Sequence, residues 1–187
     1  MEKKKTCVFI SGTGSNLNAL IKNSRSYNFP VKIEFVVSNK SDIKGIKIAK
    51  KFKIPYLIIN TRKSLYENKI IEELKNRNIK IICLAGYMKI LSNNFLNKFN
   101  GKIINIHPYL LPKFKGLNTF NRILKKKEKK TGCTIHYVNK KLDSGKIILK
   151  KEFIISKSDT VDSIKIRTQR LEHVGYSEAL IKILRNN

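Results

Sequence analysis

Acidic residues are scarce in this chain: 13 Asp and Glu stand against 40 Lys and Arg in 187 residues, a formal charge of +27. A surplus of that kind is one mark of a nucleic-acid-binding chain. Two further absences weigh against that reading. The lysines are scattered, with one short cluster between Lys125 and Lys130, and no aromatic-rich RNA-binding signature goes with them. Lys, Ile and Asn are abundant together throughout, so the charge reads as a solvated surface. Such a surface attracts polyanions non-specifically and favours anionic substrates, and no specific nucleic-acid partner is expected.

Cysteine is sparse as well. Cys7, Cys83 and Cys133 are odd in number, far apart and without CxxC spacing, which excludes a disulfide framework and a zinc site. Cys7 and Cys83 lie within apolar runs and read as buried thiols. No apolar run approaches the roughly 20 residues that a membrane span needs. The run Cys7-Val8-Phe9-Ile10 that follows the basic N-terminus is too short for the apolar region of a signal peptide. It is expected to be a first strand, in a cytoplasmic protein. Linkers, repeats and low-complexity segments are also missing, and the length fits one domain.

What remains is an alternation of short apolar runs with longer amphipathic ones. Strands are expected over 6–11, 31–38, 54–59, 79–85 and 102–106. Helices are expected between them over 15–26, 43–52, 64–78 and 92–99. This alternation predicts an α/β fold: a single doubly wound, mostly parallel sheet with helices on both faces. After residue 106 come a loop with Pro108 and Pro112, a short helix over 119–127, strands over 133–138 and 146–153, and a C-terminal helix capped near Ser158-Asp159. The part up to about residue 100 is expected to bind phosphate, and the part from 101 to 187 to carry the chemistry.

Three segments could do chemistry. Ser11-Gly12-Thr13-Gly14-Ser15-Asn16-Leu17 follows a strand and opens a helix, where glycines admit a ligand and free N–H groups meet an anion. It lacks the Gly-Lys-Ser/Thr ending of a Walker A loop and the third glycine of GxGxxG. Phosphate binding is favoured over an ordinary capped turn. Asn105-Ile106-His107-Pro108 ends a strand, the usual ligand edge of an open α/β sheet. Asn105 and His107 share one side of it, where an amide and an imidazole can stabilise an oxyanion and move a proton. On its own the pair is equally a core histidine beside a turn. Asp143, in Leu142-Asp143-Ser144-Gly145, could orient His107; 36 residues away, as a lone residue it reads more readily as a turn former. His136 and His173 read as structural, and Glu172 as a solvent-facing helix residue.

Together these segments resemble the phosphoribosylglycinamide formyltransferase family of purine synthesis. The resemblance runs from Cys7-Val8-Phe9-Ile10-Ser11-Gly12 to the last helix. Its most specific stretch is Asn105-Ile106-His107-Pro108-Tyr109-Leu110-Leu111-Pro112, joined by Gly132-Cys133-Thr134-Ile135-His136 and Leu142-Asp143-Ser144-Gly145. It implies formyl transfer from 10-formyltetrahydrofolate, as co-substrate and without a metal, to the amine of 5-phosphoribosylglycinamide. The implied catalytic trio is Asn105, His107 and Asp143, with a protonated His107 facing the oxyanion. Gly14, Ser15, Asn16, Gln169 and Glu172 would hold the ribonucleotide. Lys63, Met88, Lys89, Ile90 and Leu91 would contact the folate, together with Asn105 and the segment Asn139, Lys140, Lys141, Leu142 and Asp143. Small-molecule partners are implied, and a homodimer is left open.

The chain departs from the family pattern in places. Lys63 and Lys89 stand where arginine is common, which keeps the charge but loses the bidentate fork. Leu117-Asn118-Thr119-Phe120 replaces a segment that often carries two histidines, and Arg170-Leu171 a polar pair. The chain also ends soon after the last helix. Two other formyl-group enzymes share the Asn-His-Pro loop: methionyl-tRNA formyltransferase and formyltetrahydrofolate deformylase. Each normally carries a further domain for which no segment is seen. A non-catalytic basic nucleic-acid-binding module is the alternative of another class.

Overall fold

The structure is a computed structural model that describes residues 2–61, 65–116 and 119–185. Lys63, Leu117 and Asn118 therefore lie outside the described residues. Thirteen elements follow in chain order: β1 (Lys4–Ile10), α1 (Ser15–Ser24), β2 (Val31–Ser38), α2 (Lys44–Lys51), β3 (Tyr56–Ile58), α3 (Tyr66–Asn76), β4 (Ile81–Leu84), α4 (Asn93–Lys98), β5 (Lys102–His107), α5 (Thr119–Lys125), β6 (Lys130–Tyr137), β7 (Ile147–Ile154) and α6 (Val161–Arg185). Each expected element is present, with ends displaced by a few residues, as fraying ends usually are. The strands form one seven-stranded sheet in the order β3-β2-β1-β4-β5-β6-β7. The chain divides into two compact units, one ending at Ile104 and one beginning at Asn105.

The first unit is the doubly wound part. β1 pairs in parallel with both β2 and β4, and β2 pairs in parallel with β3. A strand covered on both faces has no wet side, so its residues read as a continuous apolar run. Cys7, Val8, Phe9 and Ile10 are all fully buried, as are Val36, Val37, Ile82 and Cys83. The order of strands reverses direction at β1. Right-handed crossovers therefore place α1 and α2 on one face and α3 and α4 on the other. α1 is helical because Leu17, Leu20 and Ile21 recur on one side and are buried there. α4 begins where the Ser92 hydroxyl accepts from the Phe95 N–H at 3.0 Å.

In the second unit β6 and β7 are antiparallel, from Lys130↔Ile154 to His136↔Ile147. β7 is half wet, and Ile154 is 78% exposed. α6 covers β6 through Gly175, where an added Cβ would come 3.1 Å from the Ile135 Cδ1. The connection between β6 and β7 is pinned at its base. Tyr137 N–H donates to Lys146 O at 2.9 Å, and an added Cβ on Gly145 would lie 1.7 Å from the Tyr137 carbonyl oxygen. Only a residue without a side chain fits there. Gly145→Ala is expected to destabilise the protein by about 3 kcal/mol, through backbone displacement. Urea unfolding reads this as a lower midpoint; an unchanged midpoint would contradict the close approach.

Candidate active site

In the first unit the expected anion loop is built as a backbone cradle. The last residue of the loop, Gly14, is the N-cap of α1 with φ 74°, and no side chain caps the first turn. That φ is in the left-handed region, where glycine is at ease. Space demands glycine too: an added Cβ at Gly14 would lie 2.6 Å from the Gly45 Cα. Gly45 N–H donates to Gly12 O at 3.1 Å, so the start of α2 supports the loop from behind. An added Cβ on Gly12 would meet nothing within 4 Å, which leaves its backbone open to approach. Asn16 is buried and Ser15 half-buried at the start of α1. With no acid in that turn, the helix end presents partial positive charge to an anion.

The segment expected to meet the folate leaves the end of β4 in the same unit. Met88 and Ile90 are 60% and 75% exposed, whereas Leu91 is buried; Lys89 is exposed. Two apolar side chains standing in water beside one another suit a flat, partly apolar ligand. Behind them, Tyr87 packs edge-on against Phe9 with ring centroids 5.3 Å apart. Burial, followed by the charges of Tyr66 and Glu67, pushes its hydroxyl well above the usual phenol range.

The second unit holds the catalytic candidates. Asn105 and His107 lie at alternate positions of β5, and the structure brings Asp143 to both. Asp143 Oδ2 is 3.3 Å from His107 Nδ1 and accepts the Gly116 N–H at 2.9 Å. Asp143 Oδ1 accepts from Asn105 Nδ2 at 3.4 Å. Asp143 is buried with φ 46°, a left-handed conformation that Asp tolerates better than most residues. Burial pushes its carboxyl up. His136 beside it, the Gly116 N–H and the charge of His107 outweigh burial and hold it below the ordinary carboxylate value.

His136 belongs to this site, contrary to the purely structural role expected from its apolar strand. Its Nδ1 lies 2.8 Å from Tyr137 O. A carbonyl only accepts, so Nδ1 carries a proton, while Nε2 lies 3.7 Å from Asp143 Oδ1. Asn105 Nδ2 is 3.3 Å from that Nε2. His136 and Asp143 thus both face the amide nitrogen of Asn105 and fix which way the amide points. The signal was available in the sequence: Thr134 and His136 alternate on one side of an otherwise apolar strand. Thr134 Oγ1 donates to Tyr109 O at 2.6 Å and accepts from Leu111 N–H at 3.0 Å, holding the loop that follows His107.

In the resting site burial works against the charged His107 that the resemblance implies. It is buried, with Nε2 2.9 Å from Phe114 O. Both ring nitrogens face acceptors, and a neutral imidazole can serve only one. The nearby Asp143 and the Phe114 carbonyl favour the charged form, but burial is the larger effect and holds the pKa below the ordinary 6.5. Among the remaining expected residues, Gln169 and Glu172 lie on α6. Burial pushes the Cys133 thiol up to about 12, and the Glu172 carboxylate adds to that shift. In the second folate segment Asn139, Lys140, Lys141 and Leu142 are exposed, and Asn139 Oδ1 accepts the Lys141 N–H at 2.9 Å. Among the described residues no group of three His, Cys, Asp or Glu could hold a metal ion, and no helix is long and apolar enough to cross a membrane.

A depressed histidine pKa fixes the sign of its pH effect. Stability from keeping His107 neutral is present above about 6.5, the unfolded value, and is lost as pH falls toward the folded value. An NMR titration should place His107 below 6.5, and lower again in Asp143→Asn, which removes the charge that favours protonation. A wild-type value above 6.5 would contradict this.

Comparison with known proteins gives concordant results. Residues 4–180 match the family described as Formyl transferase. The chain is 39% identical over 178 residues to a phosphoribosylglycinamide formyltransferase of Haemophilus influenzae, covering 92% of this chain and 84% of that one. It is 42% identical over 187 residues to a human trifunctional purine biosynthetic protein adenosine-3, covering 96% of this chain. The chain spans only 18% of that human protein's length. A crystal structure of phosphoribosylglycinamide formyltransferase from Anaplasma phagocytophilum superposes with a TM-score of 0.93 at 38% identity, covering 99% of this chain and 88% of that one.

Proposed function

The chain belongs to the phosphoribosylglycinamide formyltransferase family, and on that premise we propose that it transfers a formyl group from 10-formyltetrahydrofolate to the amine of 5-phosphoribosylglycinamide in purine (IMP) biosynthesis. The observation that carries this reading is the meeting of half-buried Asn105 with buried His107 and Asp143 at the end of β5. The formyl donor supplies an activated one-carbon unit. The exposed Met88 and Ile90 suit its partly apolar ring system. The anion cradle from Gly12 to Asn16 fits the ribonucleotide phosphate, with Gln169 and Glu172 assigned to the same substrate. Free cysteines, all buried, suit a reducing cytoplasmic setting.

The chemistry forms a bond between the amine nitrogen and the formyl carbon and breaks the bond from that carbon to the folate nitrogen. One proton leaves the amine and one reaches the folate nitrogen. A neutral His107 is suited to take the first. Its Nε2 faces away from Asp143; with the ring proton on Nδ1 against Asp143, Nε2 is able to accept once a substrate group replaces the Phe114 carbonyl, to which it otherwise donates. Once protonated, the ring pairs with Asp143 at Nδ1, so the charge appears only during transfer and is met by a carboxylate already in place. The resulting imidazolium then returns a proton to the leaving nitrogen. Asn105 donates to the formyl oxygen as negative charge grows there by redirecting the amide N–H that otherwise makes the long 3.4 Å bond to Asp143.

Spectroscopic detection of tetrahydrofolate should show product formation with phosphoribosylglycinamide, and none with initiator tRNA or water alone. His107→Ala should lower kcat by about 10²–10⁴-fold while the far-UV circular dichroism is retained. Turnover near that of the wild type would remove His107 from the mechanism; product formed equally with tRNA or water would overturn the choice of acceptor.

A further inference from the structure

Ser11 sits where β1 ends, immediately before Gly12, and its side chain is 5% exposed. β1 lies between β2 and β4 in the sheet. Its hydroxyl reaches the loops that leave both neighbours. It donates to Asn39 Oδ1, just past β2, at 2.5 Å. It accepts the backbone N–H of Met88, past β4, at 2.8 Å. A hydroxyl has one proton to give and lone pairs to receive, so these two bonds use it in both senses. Asn39 and Met88 come from segments separated from Ser11 by 28 and 77 residues.

The position is significant because two ligand segments start there. The anion cradle begins one residue after Ser11. The exposed apolar segment begins at Met88, and the bond from Ser11 goes to its backbone, the part that sets where the following side chains stand. We propose that Ser11 is a positioning residue that couples the two: an anion settling in the cradle fixes Ser11, and Ser11 fixes Met88 to Leu91 for the folate. This rests on the assignment of those segments to the ribonucleotide and the folate given above. Thermodynamic coupling is reciprocal, so each ligand tightens the binding of the other by the same factor.

The first test needs no catalysis. With isotope-labelled protein, ribose 5-phosphate is titrated while the Met88 amide resonance is followed. The wild type should show a saturable displacement at Met88, and Ser11→Ala should lose it. Ser11→Thr, which keeps the hydroxyl, should restore it. Asn39→Ala, which frees the other end of the bridge and leaves Ser11 intact, should weaken it. The second test is kinetic: Ser11→Ala should raise KM for 10-formyltetrahydrofolate about tenfold, within the usual range of such couplings, and change kcat little. An unmoved Met88 amide in the wild type, an equal displacement in Ser11→Ala, or an unchanged folate KM in that variant would overturn the coupling. Failure of the wild type to consume 10-formyltetrahydrofolate would instead overturn the proposed function, while the ribose 5-phosphate titration would still decide the role of Ser11.

Discussion

A buried carboxylate survives only where donors meet it, and Asp143 is held on those terms. The Gly116 N–H supplies the short bond at 2.9 Å, and His107 and Asn105 supply longer ones. Three chain segments are thereby tied to one side chain: the end of β5, the loop before α5 and the connection from β6 to β7. Asp143 reaches this point through a left-handed backbone at φ 46°, two residues before the Gly145 contact that pins the connection. The strain at one position and the lack of a side chain at the other serve the same placement. Functional sites often keep such local strain where the surroundings over-determine it.

The carboxylate also explains why the ring beside it can rest neutral and still be supported when charged. Its strongest bond goes to a backbone amide, which cannot move away. What remains for His107 is a 3.3 Å contact that does not overcome burial in the resting site. When the ring takes a proton, the same contact becomes an ion pair in a region without water, where charges interact strongly. His136 bears on this pair by helping to hold the Asp143 carboxyl low. Its other contribution is to turn the Asn105 amide nitrogen toward the inside of the cluster. The first unit follows a comparable logic without titrating groups, since its cradle is backbone, held by the close packing of Gly14 on Gly45 and by the Gly45 N–H bond to Gly12 O.

Much of this was legible before the structure. The alternation of apolar runs placed every strand and helix, because strands buried on both faces leave a continuous signal and α1 carries its apolar residues at helical spacing. The strand-end position of Asn105 and His107 was legible for the same reason. What periodicity could not supply was contact between distant segments. Asp143 and His107 meet through a turn that pattern alone would assign to any Asp-Ser-Gly sequence; only the family resemblance joined them. A carboxylate partner argues for a protonated His107, whereas the depth of burial, which works against the charge, is a property of the packed unit. His136 was passed over because its strand is apolar, although its alternation with Thr134 marked a polar stripe. The tie between Ser11 and Met88 has no local signal at all.

The central claim is that His107 acts from its neutral form, and the pH dependence of kcat/KM for 5-phosphoribosylglycinamide tests it most directly. The substrate amine is expected to titrate near 8, as α-amino groups do, giving a limb of slope one as pH falls below that value. If transfer needs a neutral His107, the slope steepens toward two once pH drops below the pKa of that residue, which lies under 6.5. If transfer instead needed the imidazolium, loss of neutral amine and gain of charged ring would offset each other, and the profile would be level between the two pKa values. A slope of one that becomes two at low pH is the result this account predicts, and a level profile between the two pKa values would contradict it.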